Sequence, residues 1–339
     1  MKSIGIDLGT ANSRIFVKGK GVLLREPSAV AVSEATEEVL AVGLDASRMA
    51  GKTPDDVSVR RPVRSGVIAQ FDAAVAMVDV FLQKTAGAIS VGHPRVMVCV
   101  PYSINDVERR AVEEVILEAG AKSVALIESS LVAAIGAGLR VTHPRGTMIV
   151  DIGGGTTEIA VMSLGAIVVA RSVRIAGDTL DDAICDYVRR QYNIMISDTT
   201  AEYVKRSIGS IEAKIAGSNA APKEMEIRGR NVITGLPVTQ RLTGEDMAEA
   251  MAEPIAGIVD AIRATLENTP PELAADLLED GIVLSGGGAL LGGLAALISR
   301  VTHLRVQIAK NPQDCSVLGL GRLLEYQGDV DRIIRFRTR

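Results

Sequence analysis

Two segments of the chain share a pattern of residues that is suited to binding phosphate. One runs from Gly5 to Val17 and reads GIDLGTANSRIFV, and the other runs from Val150 to Val161 and reads VDIGGGTTEIAV. Each has an apolar strand that ends in aspartate, a turn rich in glycine and threonine, and a second apolar strand. Glycine lets backbone N–H groups approach phosphate oxygens, and successive N–H groups form an anion-binding nest. Two such hairpins can hold one polyphosphate from both sides.

The aspartates of these two segments occupy matching positions. Asp7 aligns with Asp151, and Gly9 aligns with Gly153. Mg²⁺ bound to proteins usually keeps several water ligands and takes few carboxylates. A carboxylate beside each turn can therefore hold a hydrated Mg²⁺ between the hairpins.

A third glycine-rich segment lies near the C-terminal end of the chain. The apolar strand Ile282–Leu284 runs through Ser285 into Gly286, Gly287 and Gly288, and a helix follows. A helix N-terminus offers free N–H groups and a favourable dipole to an anion or a polar ligand. A triple glycine alone is equally typical of a tight turn, but the two hairpins upstream favour a nucleotide site.

Composition excludes several classes of protein. A chain of 339 residues is long enough for two domains. The net charge of −4 lacks the basicity that indicates nucleic-acid binding. The three cysteines, Cys99, Cys185 and Cys315, are far apart and form no C-x-x-C pair, which argues against disulfides or a zinc site and favours a reducing cytoplasm. No apolar run reaches about 18 residues, and the first strand begins too early for a signal peptide.

Strand-like and helix-like segments alternate along the chain, which is typical of an α/β protein. Ser103 and Asp106 form a capping-box pattern that predicts a helix over about 104–119. The helix predicted over Leu131–Leu139 is rich in alanine and glycine, which suits close packing between two halves of the molecule. Residues 142–146 are the best candidate linker. We expect residues 1–32 and 67–144 to form the first large subdomain with a small insert at 33–66, and residues 145–181 and 250–339 to form the second with an insert at 182–249.

The order of the three glycine segments resembles that of the actin and heat-shock-chaperone ATPase superfamily. Within it, the chain is similar to the MreB family of bacterial actins over essentially its whole length. The stretches that carry the resemblance are Asp7–Ser13, Arg95–Pro101, Val107–Arg110, Asp151–Val161, Glu202–Gly209, Pro271–Ala274 and Leu284–Leu291. The resemblance implies an actin-like (ribonuclease H-like) fold: a duplicated, two-domain α/β architecture with a small inserted subdomain in each half.

The resemblance also implies roles for individual residues. Asp7 and Asp151 would orient Mg²⁺ through water. Glu202, Lys205 and Arg206 have the spacing of one helical face, and they would lie beside the ribose and adenine; a solvated helix face is the alternative. The residues implied to bind ATP or ADP are Gly9, Thr10, Ala11, Asn12, Gly153, Gly154, Gly155, Thr156, Gly177, Asp178, Glu202, Lys205, Arg206, Gly286, Gly287 and Gly288.

One position departs from the family in a way that affects catalysis. Members of the family carry Ile-Glu-Glu-Pro where this chain reads Ile127, Glu128, Ser129 and Ser130. The second glutamate is the residue expected to position and polarise the attacking water, and serine is shorter and a poor base. A general base typically contributes about 10² to 10⁴ in rate. Because Thr156, the other residue expected at the water, is present, we predict nucleotide binding with impaired hydrolysis, unless Glu128 or a chain of waters substitutes as the base.

Membrane contact is predicted from a short apolar loop. Ile89 and Val91 stand in a loop otherwise made of glycine, alanine and serine. Two aliphatic side chains supply only a few kcal/mol per subunit, at about 25 cal/mol per Å² of apolar area, but avidity along a filament multiplies the effect. An ordinary surface loop is the alternative, and the basic and apolar tail at 331–339 is a second candidate for lipid contact.

The function implied by the resemblance is that of an ATP-binding filament protein. Its partners would be other copies of the chain in paired protofilaments, the inner membrane surface, and membrane proteins of the cell-elongation machinery. It would lie in the cytoplasm under the membrane, guide wall synthesis and maintain rod shape. Three alternatives stay open: a regulator that does not hydrolyse ATP, a sugar or acetate phosphotransferase, and a chaperone ATPase. The last two usually need a longer chain or a further domain.

Overall fold

A computed structural model describes residues 3–86, 93–211, 223–326 and 337–338. Residues 3–86 form β1 (Ser3–Leu8), β2 (Asn12–Val17), β3 (Gly21–Pro27), β4 (Val30–Ser33), β5 (Val39–Val42), α1 (Leu44–Met49), β6 (Val57–Arg60), β7 (Val63–Arg64), β8 (Val67–Ile68) and α2 (Phe71–Ala86). Residues 93–211 form β9 (Arg95–Val100), α3 (Asp106–Glu118), β10 (Ser123–Glu128), α4 (Ser129–Ala137), β11 (Thr147–Ile152), β12 (Thr157–Ser163), β13 (Ala166–Val173), α5 (Gly177–Tyr192), β14 (Ile194–Met195) and α6 (Asp198–Ile208). The remaining residues form β15 (Glu224–Asn231), β16 (Pro237–Thr243), α7 (Gly244–Ala250), α8 (Ala252–Glu267), α9 (Pro271–Asp280), β17 (Ile282–Ser285), α10 (Leu294–Thr302), β18 (Val306–Ile308), α11 (Cys315–Glu325) and β19 (Arg337–Thr338).

The two largest sheets have the same internal strand order. One sheet runs β19-β10-β9-β1-β2-β3, and the other runs β18-β17-β11-β12-β13. Strand β1 is antiparallel to β2 and parallel to β9, just as β11 is antiparallel to β12 and parallel to β17. The five strands from β10 to β3 are therefore the counterparts of the five from β18 to β13. This repeat confirms the predicted duplicated α/β architecture.

Each sheet has its own apolar core, and a third core joins the two halves. In the first half, Ile6 and Val98 pack with Phe81 of α2 and Ile116 of α3. The core of the second half packs the inner strands against α5 and α8; among its members are Val150, Ile152, Ile184, Ile258 and Leu284. The third core includes α4 and α11 and draws on both sheets; among its members are Met97, Leu131, Ile149, Val317 and Leu320. Burial of apolar area on this scale is the main stabilising term of the fold.

Helices α4 and α11 cross at very close range. A Cβ atom added at Gly136 would overlap the backbone carbonyl of Cys315, and one added at Gly319 would overlap the backbone carbonyl of Val132. Since glycine alone leaves room at this crossing, the small residues of α4 are explained by packing. The predicted close helix contact between the halves is confirmed, and the helix ends where Gly138 adopts a positive φ of 89°.

The helix predicted over about 104–119 is present, but its cap differs from the prediction. The pairing of Ser103 with Asp106 was wrong. The side chain of Asn105 accepts a hydrogen bond from the Glu108 backbone N–H at 2.9 Å, and the Asn105 N–H donates to Glu108 Oε2 at 3.0 Å. Both pairs have the three-residue spacing of a capping box, so spacing alone could not choose between them.

Smaller sheets extend from each half. Strands β5, β4 and β6 form one three-stranded sheet against α1, and β14, β15 and β16 form another. Strand β4 begins at Val30 and pairs with both β5 and β6, so it belongs to the small sheet. The chain returns from this sheet through the β7–β8 pair toward the first hairpin. Across the described ranges, no helix combines the length and the apolar character needed to cross a bilayer.

Candidate functional site

A cavity of about 460 Å³ lies where the two hairpins face each other. Its walls include the turn of the first hairpin at 9–12, the turn of the second at 153–156, and the third glycine segment at 286–288. The two turns are so close that a Cβ atom added at Gly154 would lie 2.8 Å from that of Ala11. Every residue predicted to bind nucleotide lines this cavity, and so do Asp7, Asp151 and Ser129.

The aspartate of the first hairpin is partly buried beside a cation and a thiol. Asp7 is the cross-strand partner of Arg14, whose guanidinium lies 3.4 Å from Asp7 Oδ2. The thiol of Cys99 donates to Asp7 Oδ1 at 3.3 Å. Burial raises the pKa of Asp7, and Arg14 and Cys99 oppose this effect.

The aspartate of the second hairpin has a different surrounding. The hydroxyl of Ser285 donates to Asp151 Oδ1 at 2.5 Å, and the cross-strand partner of Asp151 is Glu158 rather than a cation. Burial raises the pKa of Asp151 to about 7; the Ser285 hydrogen bond opposes this, and the charges of Asp7 and Glu158 add to it. A cation between the two aspartates would relieve their repulsion.

The two aspartates fit a hydrated Mg²⁺ rather than a cage of protein ligands. Within the described ranges, no group of three or more His, Cys, Asp or Glu side chains is arranged to hold a metal ion by itself. Mg²⁺ is usually bound through one or two carboxylates, with water and phosphate oxygens as its other ligands. Asp7 and Asp151 can supply that pair.

Lys205 of α6 turns toward the start of α5. Its ammonium donates to the backbone oxygen of Gly177 and to Asp181 Oδ2, each at 2.7 Å. Burial raises the pKa of Asp181 to about 7, and Lys205 opposes this effect. Arg206, on the same helix, is largely exposed and lies 3.8 Å from Glu202. The charged face of α6 thus divides into a largely buried lysine and an exposed arginine at the cavity.

An ion pair crosses the cavity between the two halves. Arg61, which follows β6, donates to Asp178 Oδ1 at 2.9 Å. Asp178 lies at the start of α5, where its own N–H donates to the carbonyl of Gly154 at 2.7 Å. Beneath this pair, the Thr10 hydroxyl accepts from the Gly66 N–H at 3.1 Å. The ion pair links the small sheet of the first half to α5 of the second half, and the Thr10–Gly66 hydrogen bond links the turn between β7 and β8 to the first hairpin.

Ser129 stands at the cavity in the first turn of α4. Its hydroxyl is buried and has no hydrogen-bond partner among the residues that the structure describes. The hydroxyl of Ser130 is likewise buried without a partner. Glu128 precedes the helix in extended conformation and is not among the residues that line the cavity. The structure therefore brings Ser129 and Thr156 to the cavity but does not bring Glu128 there.

A buried carboxylate that the sequence analysis did not single out also lines the cavity. Glu158 of β12 is 2% exposed. Its Oε1 accepts from the Ser172 hydroxyl at 2.6 Å, and its Oε2 accepts from the Tyr102 backbone N–H at 3.2 Å. Burial raises the pKa of Glu158, and hydrogen bonds from Ser172, Tyr102 and Thr156 oppose this. The signal available in the sequence was a charged residue within a segment, 157–163, whose other residues are uncharged.

The predicted membrane contacts fall in two segments near the ends of the described ranges. Ile89 and Val91 lie outside the described residues. So does most of the tail at 331–339, of which the backbone of Arg337 and Thr338 pairs with β10 as strand β19.

Duplicated sheets around a polar cleft of this kind define an actin-like fold. The fold of this chain is shared by MreB5 of Spiroplasma citri bound to AMPPNP, with a TM-score of 0.87, 36% identity, and 94% of each chain covered. The structure of MreB5 of Spiroplasma citri bound to ADP gives a TM-score of 0.88 at the same identity and coverage. The subunit of the MamK double helical filament matches with a TM-score of 0.79 at 19% identity, over 96% of this chain and 99% of that one, and shows the fold alone.

The sequence comparisons give the family. The sequence model of the MreB/Mbl protein family matches residues 1–332, and the chain belongs to this family. It is 44% identical over 332 residues to the cell shape-determining protein Mbl of Bacillus cereus (strain ATCC 10987 / NRS 248), covering 98% of this chain and 97% of that protein. It is 46% identical over 327 residues to the cell shape-determining protein MreB of Escherichia coli (strain K12), covering 95% and 93%.

Proposed function

We propose that this chain is an ATP-binding, actin-like cytoskeletal protein that polymerises into filaments and determines cell shape. The observation that carries the proposal is the cavity on which three separate glycine segments converge. Its volume of about 460 Å³ lies in the range of small-molecule sites. The names of the Mbl and MreB relatives and the AMPPNP and ADP complexes of MreB5 support it.

The nucleotide would lie across the cleft with its phosphates between the two hairpin turns. Gly9 and Gly153–Gly155 would present backbone N–H groups to the phosphate oxygens. Asp7 and Asp151 would orient Mg²⁺ through water. Lys205, Glu202 and the segment at 286–288 would surround the nucleoside. Hydrolysis of the bound ATP would act as a timer, because closure of the cleft around ATP favours assembly and loss of phosphate weakens it.

Hydrolysis is expected to be slow because Ser129 replaces the acidic residue that the family resemblance implies. Within the described part of the chain, the Ser129 hydroxyl has no hydrogen-bond partner that would raise its basicity. A serine at this position holds a water less firmly than a carboxylate, which reduces the general-base contribution of about 10² to 10⁴ in rate. Binding and assembly depend on other residues and would survive.

Assembly and membrane attachment form the cellular part of the proposal. Subunits would add head to tail in paired protofilaments, in the cytoplasm at the inner face of the cell membrane. There they would organise wall synthesis together with membrane proteins of the elongation machinery. Ile89 and Val91 would supply the lipid contact, which is weak per subunit and strengthened by the filament.

Sedimentation and electron microscopy test the proposal. Purified protein should pellet and form filaments with Mg-ATP and remain in the supernatant with Mg²⁺ alone. With liposomes added, Ile89→Ser/Val91→Ser should lose co-sedimentation with lipid while its filaments persist. If that variant sediments with liposomes as the natural protein does, the loop that contains Ile89 and Val91 does not supply the lipid contact. No nucleotide-dependent assembly under any condition would reject the filament itself.

A regulator that does not hydrolyse ATP is the second candidate, and the unpartnered Ser129 hydroxyl favours it. Such a protein would bind Mg-ATP but would cap or modulate filaments of another family member. Light scattering separates the two candidates, because a regulator bound to ATP would scatter as a monomer at every concentration.

A further inference from the structure

Arg14 brings a guanidinium to the proposed ATP site, beside the aspartate of the first hairpin. It lines the cavity, and its side chain is 15% exposed. It follows Asn12 by two residues in β2, so the alternation of a strand places both side chains on one face. Asn12 also lines the cavity, whereas Ser13 between them is buried and does not. At about 3.3 Å per residue, the Arg14 side chain starts about 7 Å from the end of the first turn.

Four cations line the cavity among the residues that the structure describes, and three of them are matched by carboxylates of α5 and α6. Arg61 and Lys205 pair with aspartates of α5, and Arg206 pairs with a glutamate of its own helix. Arg14 instead lies 3.4 Å from Asp7, one of the two aspartates proposed to hold Mg²⁺. Its positive charge therefore stands where the phosphates and the metal are proposed to lie.

The guanidinium of Arg14 has more donors than the protein uses. Arginine carries five N–H groups. Within the described ranges, one of them makes a hydrogen bond, from Nη1 to Asp7 Oδ2, and its length of 3.4 Å exceeds the usual range of about 2.7–3.2 Å. The buried Nε lies 3.1 Å from Asp314 Oδ1 as an ion pair, but its N–H is not directed at that oxygen as in a hydrogen bond. Buried donors without acceptors are costly, so an anion with several oxygens would complete this site.

Asp314 anchors the guanidinium of Arg14 without fully neutralising it. Arg25 donates to both oxygens of Asp314, at 3.2 and 2.8 Å. Arg25, with a smaller contribution from Arg14, holds the pKa of Asp314 below its ordinary value of 3.8, and partial burial opposes this effect. Much of the charge of Asp314 is thus already matched, and Mg²⁺ would compete with Arg14 for the charge of Asp7. The positive charge of Arg14 is then left for a phosphate.

We propose that Arg14 binds phosphate directly: its guanidinium donates hydrogen bonds to phosphate oxygens of the nucleotide. The inference rests on the proposed function, and it adds a fixed cation to a site that otherwise holds phosphate through backbone N–H groups and Mg²⁺. A guanidinium is planar and always charged, and its paired N–H groups match two oxygens of a phosphate. Part of the affinity for phosphate is then independent of the metal.

Calorimetry with ADP and Mg²⁺ on four proteins tests the inference. Arg14→Met keeps a long, unbranched side chain but removes every donor, and it should weaken binding of ADP about 10- to 100-fold, the usual effect of losing hydrogen bonds from a charged group. Arg14→Lys keeps the charge without the paired donors and should fall between Arg14→Met and the natural protein. Arg25→Met is the matched control, because Arg25 pairs with the same Asp314 but does not line the cavity, and it should bind ADP as the natural protein does.

A chelator separates a direct contact from an effect through the metal. If Arg14 contacts phosphate, Arg14→Met should still weaken binding of ADP when Mg²⁺ is removed, because the lost contact does not depend on the metal. A loss confined to solutions with Mg²⁺ would mean that Arg14 only positions Asp7, and it would overturn the inference. An ADP affinity of Arg14→Met equal to that of the natural protein in both solutions would do the same.

Adenosine, which lacks phosphate, separates a phosphate contact from a general loss of structure. Competition against a fluorescent ADP analogue should give the same adenosine affinity for Arg14→Met and the natural protein. Equal losses for adenosine and ADP would mean that Arg14 shapes the cavity, contrary to the inference. Where Arg14→Met folds poorly, Arg14→Gln, which is polar but uncharged, gives the same comparison. A natural protein that binds no ADP would fail the proposed function, whereas normal ADP binding that both substitutions leave unchanged would fail this inference alone.

Discussion

The ammonium of Lys205 lies 2.7 Å from Asp181 Oδ2, and both side chains are largely buried at 14% and 10% exposure. The same ammonium reaches the carbonyl of Gly177 at the start of α5. One lysine thereby ties α6 to the helix whose N-terminus faces the cavity. Removing one partner of a buried pair leaves an uncompensated charge, which is strongly destabilising.

Lys205→Met should lower the free energy of unfolding by about 3 kcal/mol. The reason is that Asp181 would remain buried without its cation. Urea unfolding followed by circular dichroism measures the change. Arg206→Met is the matched control, because Arg206 is exposed and its pairing with Glu202 should contribute at most about 0.5 kcal/mol. An equal loss in the free energy of unfolding for Lys205→Met and Arg206→Met would contradict the conclusion that the Lys205–Asp181 pair stabilises the fold.

Gly319→Ala should destabilise the protein by about 3 kcal/mol or prevent folding, because the added methyl group has no room at the crossing of α4 and α11. Thermal unfolding gives the comparison. Gly244→Ala is the control, since a Cβ there meets no atom closer than 3.8 Å and the backbone does not need a positive φ. If Gly319→Ala has the same melting temperature as the natural protein, α4 and α11 pack less closely than described.

The stability contributed by Asp246 should depend on pH. Although burial alone would raise its pKa, hydrogen bonds from Thr243, Tyr187 and Tyr192 lower it below the ordinary value of 3.8. A carboxyl with a lowered folded-state pKa contributes stability above pH 3.8, and this is lost as pH falls through the folded-state value. Asp246→Asn should therefore be less stable than the natural protein at pH 7, and the difference should begin to narrow as the pH falls below about 4 and should vanish only below the folded-state pKa.

Urea unfolding at pH 7, 5 and 3.5 would measure that gap. The neighbouring Glu245→Gln serves as the control, because Glu245 is exposed and should change stability little at any of these values. A gap for Asp246→Asn that stays constant down to pH 3.5 would be inconsistent with the hydrogen-bonded carboxylate.

Asp7→Ala and Asp151→Ala should weaken Mg-ATP binding by about 10- to 100-fold, the usual cost of losing a residue that holds a metal through water. In the presence of a chelator, the affinity for ATP should differ less between the variants and the natural protein. The reason is that the metal held by the two aspartates is then absent from all three proteins. Calorimetry with and without Mg²⁺ gives both affinities. Asp72→Ala, at the exposed start of α2, is the control. If the affinity for Mg-ATP is unchanged in both Asp7→Ala and Asp151→Ala, the two aspartates do not hold the metal.

The repeated hairpins could be predicted because the pattern that defines them is local. Asp7 and Asp151 each end an apolar strand directly before a glycine turn, so sequence spacing placed them correctly at one cavity. The small residues of α4 likewise allowed close helix packing to be predicted. The structure shows the reason at Gly136, where a Cβ atom would overlap the backbone of α11. The N-cap residue of α3 could not be predicted, because Ser103 and Asn105 both offer a suitable side chain three residues before an acidic residue.

Contacts between distant segments could not be predicted. Arg61 meets Asp178 across 117 positions of sequence, and Glu158 finds its donors at Tyr102 and Ser172. No local pattern marks these pairs, since each depends on how the two halves close. The resemblance to the family supplied the role expected at Ser129, but only the structure showed that its hydroxyl is buried and unpartnered.

Phosphate release by Ser129→Glu tests the central claim, that this chain binds ATP in an actin-like cleft but lacks the acid that aligns the water. The measurement compares the variant with the natural protein at matched polymer mass. We predict assembly of both proteins with Mg-ATP and release that is faster in the variant by up to about 10²-fold, since a restored base can recover that much. A natural protein that already hydrolyses ATP as fast as Ser129→Glu would contradict the account.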